Sequence, residues 1–138
     1  MWELEPTDQY DRDFKKYQKK HENELLAVLE NLEQYLDVLK EGVNPAQAFA
    51  MLGFLHREGI GIVAIDQKGG ATRRKSTDLP KKKRRSLQQT RLYIYPEINR
   101  KLLHLLAIGN KNSQHSDVQH CKKFVRKNLG QQGKDSDG

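Results

Sequence analysis

The chemistry available to this sequence depends on a few side chains that carry protons or bind anions. Histidine is the ordinary proton carrier near neutral pH, and the chain has five histidines. We rank His115 first among them because it follows Lys111 by four residues, and His56 second. Arg91 is the leading anion ligand because a guanidinium stays protonated and offers a planar fork of donors. These residue types favour acid–base chemistry at a phosphate.

Each of these residues also has an ordinary structural interpretation. Arg91 could be a solvated or salt-bridged arginine on a strand, and Lys111 could be a solvated loop lysine. His104 suits a polar position on a sheet face, and His21 suits a turn between helices. Tyr93 shares the predicted strand face of Arg91, where it could stack on a base or be half-buried. The sequence alone leaves both interpretations open.

Charge is divided unevenly along the chain. Residues 1–60 carry 7 Lys+Arg and 12 Asp+Glu, a net charge of −5, whereas residues 61–138 carry 18 and 6, a net charge of +12. A basic half suits nucleic acid, because its cations release counterions from the phosphate backbone. The stretch 68–90 has little apolar content and should be a flexible basic loop. With Tyr93, the predicted RNA contacts are Arg57, Lys68, Arg73, Arg74, Lys75, Lys81, Lys82, Lys83, Arg84, Arg85, Lys122 and Lys123.

Length and composition predict one small domain over 1–138. With 36% hydrophobic and 31% charged residues the chain can form one modest core, and the tail from about 130 should be disordered. No run approaches the roughly 20 apolar residues that span a bilayer, and the start at Met1–Glu5 is acidic, so we expect a cytoplasmic protein without membrane contact. Cys121 has no partner for an internal disulfide, and no Cys/His group has zinc spacing. We therefore expect no metal or other cofactor.

Helices dominate the first part of the chain. Aromatic residues at helical spacing predict a helix over about 8–20, and a leucine stripe predicts a second helix that ends at Gly42. Together they should form an antiparallel helical hairpin over 1–42. The pair Asn44–Pro45 then opens a short third helix that Gly53 ends or weakens.

Strands follow the helices. The β-branched run 60–65 predicts one strand, and the alternating run 91–95 predicts a second with one dry and one wet face. A third strand over 102–108 should pair with the second as a hairpin, and Ser116 could cap a final helix. The predicted fold class is α+β: an N-terminal helical hairpin on a small antiparallel sheet of about three strands, with a C-terminal helix.

Three segments carry a family resemblance. They are Tyr10-Asp11-Arg12-Asp13-Phe14-Lys15-Lys16, Thr90-Arg91-Leu92-Tyr93-Ile94-Tyr95 and Leu105-Leu106-Ala107-Ile108-Gly109-Asn110-Lys111-Asn112-Ser113-Gln114. In this order they resemble the RelE/ParE superfamily of toxins from bacterial toxin–antitoxin modules, over roughly 8–128 without 68–90. The resemblance implies a compact mixed fold with helices around its sheet, and a cognate antitoxin that covers the active face. It places the family's strand arginine on Arg91 and its basic residue after the glycine on Lys111.

Function follows from the resemblance together with the chemistry. Many members of the family cleave mRNA on the ribosome. Cleavage through the RNA's own 2′-hydroxyl requires a base, stabilisation of the phosphorane charge and a proton for the leaving 5′-oxygen. We assign this work to Arg91, Lys111, His115 and His56, and expect a metal-independent mRNA endoribonuclease (mRNA interferase) that inhibits translation, with mRNA, the ribosome and a cognate antitoxin as partners.

Two alternatives stay open. Other members of the family poison DNA gyrase, which would make this chain a toxin without nuclease activity. The chain could also be a catalytically silent protein that binds RNA or the ribosome, because the run Ile62–Gln67 supplies Asp66 where the resemblance leads one to expect basic residues.

Overall fold

The computed structural model describes residues 1–67 and 89–129, which form an α+β fold. In these residues five strands and four α-helices follow in this order: β1 (Glu3–Pro6), α1 (Asp8–Lys20), α2 (Glu22–Lys40), α3 (Pro45–Met51), β2 (Leu55–Gly59), β3 (Ile62–Asp66), β4 (Thr90–Glu97), β5 (Leu102–Asn110) and α4 (Gln114–Phe124). A 3-10 turn at Lys111–Ser113 leads into α4, and a π-helical turn at Val125–Leu129 follows it. Of the predicted flexible loop 68–90, residues 68–88 lie outside the described residues, whereas Thr90 is buried as the first residue of β4. The predicted tail from 130 also lies outside the described residues.

The strands form one mixed sheet in the order β1-β5-β4-β3-β2. Strand β1 pairs with β5 in parallel, and the other neighbours are antiparallel. The α+β class is confirmed, but the prediction of about three antiparallel strands was wrong. Strand β1 escaped prediction because all four of its residues are exposed, and β2 because its sequence LHREG has two charged residues and a glycine. Neither strand has the apolar alternation by which a strand is predicted.

Helices α1 and α2 lie where the aromatic and leucine spacings predict them. Thr7 caps the N-terminus of α1, and its side-chain oxygen accepts a hydrogen bond from the backbone N–H of Tyr10. Asn44 caps α3 in a capping box that Gln47 completes. Helix α4 starts at Gln114, two residues before the predicted cap, because the 3-10 turn already directs the chain into the helix. None of the helices in the described ranges is both long and apolar enough to cross a membrane.

Both faces of the sheet are covered. Leu92 and Ile94 of β4 pack on the side of α1, α2 and α3, in one apolar cluster with Tyr35 of α2. Tyr93 and Tyr95 point to the opposite side, which we call the α4 face, and pack with Val118, Cys121 and Val125 at the C-terminal end of the chain. The prediction of one wet face on β4 was therefore wrong at Tyr93 and Tyr95, because α4 covers that face.

Candidate functional site

Four polar residues of the α4 face lie together at one end of the sheet. His56 and Glu58 stand on β2, Asp66 ends β3 and Arg91 is the second residue of β4. Asp66 pairs with Arg91 across β3 and β4, and His56 pairs with Ala64, two residues before Asp66. Side chains two residues apart on a strand share a face, so this register brings the four together. We call them the sheet-end cluster.

A single carboxylate connects two of the predicted catalytic residues. Oδ1 of Asp66 forms an ion pair with Nε of Arg91 at 2.9 Å, and Oδ2 lies 2.6 Å from Nε2 of His56. A second carboxylate, that of Glu58, accepts a hydrogen bond from Nη1 of Arg91 at 3.3 Å. The structure thus joins His56 and Arg91, which are far apart in the chain, through Asp66.

Asp66 is held by its backbone as well. Its N–H donates to the carbonyl of Phe54 at 2.9 Å, and its carbonyl accepts from Nδ2 of Asn31, a fully buried residue of α2, at 2.7 Å. The next residue, Gln67, is tied to Thr90 twice: Gln67 N–H donates to the Thr90 carbonyl at 3.2 Å, and Thr90 N–H donates to Oε1 of Gln67 at 2.8 Å. The carboxylate that joins His56 to Arg91 therefore stands on a fixed backbone.

Accessibility differs within the cluster. The Arg91 side chain is 20% exposed and that of Glu58 13%, whereas His56 is 43% exposed. With His56 neutral, two carboxylates against one guanidinium give the cluster a net charge of −1. Arg91 is thus salt-bridged, the structural interpretation given above for it, and its Nη2 has no acceptor among the described residues. That nitrogen can still donate to an anion.

Tyr93 does not offer a surface to a base. Its side chain is fully buried beneath α4, so the predicted stacking on RNA was wrong. Within the described ranges its hydroxyl has no hydrogen-bond partner. Burial, followed by the negative charge of Asp117, raises the pKa of Tyr93, and the hydroxyl remains protonated.

Two predicted catalytic residues lie outside the cluster. Lys111 is exposed on the 3-10 turn; its backbone N–H donates to the carbonyl of Gln89 at 3.1 Å, and its carbonyl accepts from the backbone N–H of Gln114. His115 is exposed on the first turn of α4. Neither side chain forms a hydrogen bond or ion pair with a described residue. The structure therefore connects His56, the histidine ranked second, to Arg91. His115, ranked first, has no such contact.

The predicted RNA contacts are distributed over different surfaces. Arg57 lies on the opposite face of β2 from His56, with its guanidinium carbon 4.1 Å from the ring centroid of Phe49. Lys122 of α4 reaches the end of β2, where its side chain approaches Gly59, and Lys123 is exposed. The remaining predicted contacts lie outside the described residues: Lys68, Arg73, Arg74, Lys75, Lys81, Lys82, Lys83, Arg84 and Arg85.

Glu58 and Asp66 are members of the cluster that the sequence does not indicate as site residues. In the sequence Asp66 is only a departure from the resembled family, and nothing distinguishes Glu58. The available signal was the alternation of His56 and Glu58 on one strand face, once β2 is recognised as a strand. Across 1–67 and 89–129 no group of three or more His, Cys, Asp or Glu residues is arranged to hold a metal ion.

Comparison with known proteins adds no relative. No family model matches the chain, and searches of curated proteins and of solved structures found no match.

Proposed function

We propose that the chain is a RelE/ParE-type toxin that cleaves mRNA at the ribosome. The observation that carries the proposal is the Asp66 carboxylate, which binds His56 through one oxygen and Arg91 through the other. A proton carrier and an anion ligand thus stand side by side at the end of a sheet. Cleavage of RNA by its own 2′-hydroxyl requires these two functions at one phosphate.

The contacts of Arg91 and His56 suggest a separate role for each. Arg91 directs its unoccupied Nη2 at a phosphate oxygen and stabilises the negative charge that grows in the transition state. His56, the most exposed member of the cluster, takes the proton of the 2′-hydroxyl. Attack of that oxygen on phosphorus breaks the bond to the 5′-oxygen, which takes a proton from water. The products are a 2′,3′-cyclic phosphate and a 5′-hydroxyl, and His56 returns its proton to the solvent.

Charge supports RNA as the substrate. The segment 68–88 is rich in Lys and Arg, and it lies in the chain between Gln67 and Gln89. Gln67 and Thr90 are hydrogen-bonded to each other next to Asp66 and Arg91. The described residues that flank this segment therefore lie beside the cluster. A segment with this many Lys and Arg residues contributes counterion release when RNA binds.

A second candidate function is RNA binding without cleavage. The observation in its favour is that Arg91 already bonds to both Asp66 and Glu58, so a phosphate competes with two carboxylates for the guanidinium. On this proposal the basic residues bind RNA or the ribosome, and the cluster serves stability.

Primer extension on a reporter mRNA in a cell-free translation reaction distinguishes these functions. The ribonuclease proposal predicts discrete cuts with the wild-type protein and their loss with His56→Gln. His120 is an exposed histidine of α4, so His120→Gln is the matched control and should leave the cuts in place. Translation inhibited without cuts would support binding alone. Linearised plasmid in a parallel gyrase reaction, with no cut mRNA, would instead identify a gyrase poison.

A further inference from the structure

We propose that Asp66 is a positioning residue that holds His56 in the tautomer protonated on Nε2, so that Nδ1 is the nitrogen that takes the proton from the RNA. This inference rests on the proposed ribonuclease function for the role of Nδ1, but the tautomer itself is a property of the free protein. Asp66 thereby has a role, although in the sequence it is only a departure from the pattern of the resembled family.

The direction of the hydrogen bond follows from the donor inventory. An ionised carboxylate only accepts hydrogen bonds, so at the 2.6 Å separation between Oδ2 of Asp66 and Nε2 of His56 the imidazole is the donor. In a neutral imidazole one ring nitrogen carries the proton and the other accepts one. A proton fixed on Nε2 therefore leaves the lone pair on Nδ1.

The Asp66 carboxylate has a cationic neighbour on the side away from His56. Arg91 of β4 forms an ion pair with the other Asp66 oxygen, at 2.9 Å. The further charged groups on this face are Glu58, two residues along the same strand and bonded to Arg91, and Lys122 of α4, whose side chain approaches Gly59.

The free nitrogen of His56 is accessible. Nδ1 makes no hydrogen bond with a described residue, and the side chain is 43% exposed. Asp66 is less exposed, at 22%, and its carbonyl and N–H are both bonded within the fold. The less exposed partner, fixed by its backbone, therefore orients the more exposed one, which is the arrangement that a positioned base requires.

The test reads the tautomer directly, by long-range ¹H–¹⁵N NMR of the full chain with its imidazoles neutral. We expect His56 of the wild type to show a protonated Nε2 and an unprotonated Nδ1. In Asp66→Asn the amide can donate to Nε2, so the population should move to the Nδ1-protonated form. His104 is the internal control, because its Nε2 bonds to Oε1 of Glu97 at 2.7 Å, and its spectrum should be unchanged. A wild-type His56 that is mainly protonated on Nδ1, or a tautomer ratio unaffected by Asp66→Asn, would overturn the proposal.

Cleavage measured on the same samples separates this inference from the proposed function. Asp66→Asn should lower the rate constant of the chemical step by about 10²-fold at constant KM, which is the usual contribution of a positioned acid or base. Asp66→Glu, which restores an acceptor, should recover part of it. If the wild-type protein cleaves no RNA but has the Nε2 proton, the ribonuclease proposal fails and the tautomer assignment stands. If Asp66→Asn does not fold, the wild-type spectrum still decides the assignment.

Discussion

Gly109 of β5 and Asp117 of α4 are in such close contact that no side chain fits at position 109. A Cβ placed there would clash with Oδ2 of Asp117, and would lie 2.8 Å from its Cγ and 2.9 Å from Oγ of Ser113. Ser113 donates a hydrogen bond to the same Asp117 oxygen at 2.6 Å. Burial raises the pKa of Asp117, so this contact also removes a carboxyl from water. The contact fixes the start of α4 on the sheet, and α4 in turn covers Tyr93.

Gly109→Ala should therefore destabilise the protein. The new methyl group meets atoms that belong to a bonded turn, and overpacking of this kind costs about 1–3 kcal/mol of unfolding free energy. Denaturant unfolding measures the loss. Gly53→Ala is the matched control, because nothing lies within 4 Å of a Cβ at that position. Equal stabilities of the two variants would show that α4 moves away from the sheet without cost.

Acid stability should depend on Glu97, near the β4–β5 turn. Arg100 donates to both of its oxygens, at 2.6 and 2.9 Å, and His104 donates to one at 2.7 Å. The hydrogen bond from Arg100 is the main reason why the pKa of Glu97 is lowered to about 2 from 4.5. A lowered pKa in the folded state contributes stability above about pH 4.5 that is lost as the pH falls toward 2.

Glu97→Gln should accordingly flatten the fall in unfolding free energy between about pH 4.5 and pH 2. Glu33→Gln, at an exposed position of α2, is the control and should keep the wild-type slope. The measurement is a series of urea unfolding curves across this pH window. A slope unchanged in Glu97→Gln would mean that the carboxyl titrates alike in the folded and unfolded chain.

The helices could be predicted from the sequence better than the strands or the site. The spacing of apolar residues located α1 and α2, because packing on one side imposes a helical period. It could not locate β1, which lies at the sheet edge with every residue exposed. The resemblance and the alternating strand together indicate Arg91. They do not indicate its neighbours, because strand pairing and not proximity in the chain determines them. His115 was ranked above His56 on its distance from Lys111 in sequence, whereas the β2–β3–β4 register joins His56 to Arg91.

RNA affinity should fall steeply as the salt concentration rises, and the basic run Lys81–Arg85 should account for part of this salt dependence. Replacing its five residues with Gln should reduce the slope of log K against log salt by up to about 3.5, since each phosphate contact of a single strand contributes about 0.7. Five exposed basic residues of α1, namely Arg12, Lys15, Lys16, Lys19 and Lys20, provide a control of equal charge. Equal losses of slope in both variants would mean that only total charge matters.

Glu58→Gln should strengthen RNA binding. The substitution removes one of the two carboxylates that occupy Arg91, and the amide can still accept a hydrogen bond from Nη1. Competition for the guanidinium then falls, and we expect affinity to rise by about threefold to tenfold, the effect of a coupling of roughly 1 kcal/mol. Fluorescence anisotropy with labelled RNA measures it, with Asp37→Asn on the exposed side of α2 as control. Unchanged affinity in Glu58→Gln would show that Arg91 does not contact RNA.

Substitution of Arg91 has a structural cost that must be measured beside its effect on activity. Arg91→Ala leaves Asp66 and Glu58 without their cation, so we expect a loss of about 1–3 kcal/mol in unfolding free energy. Arg91→Lys retains the charge but loses the planar fork that can bond to a carboxylate and a phosphate together. Thermal melts by circular dichroism establish the temperature range in which both variants are folded, and activity is compared within that range.

The most direct test of Arg91 and His56 as a ribonuclease site is the rate of mRNA cutting by folded Arg91 variants in the cell-free translation reaction. We expect discrete cuts by the wild-type protein and a rate about 10² to 10³ lower for Arg91→Ala, the usual loss when one stabiliser of transition-state charge is removed. Arg91→Lys, which keeps the charge without the planar fork, should restore only part of the rate. Growth arrest on overexpression should be relieved in parallel. Full cutting by folded Arg91→Lys and Arg91→Ala, or the absence of cuts with the wild type, would contradict the claim that Arg91 and His56 form a ribonuclease site.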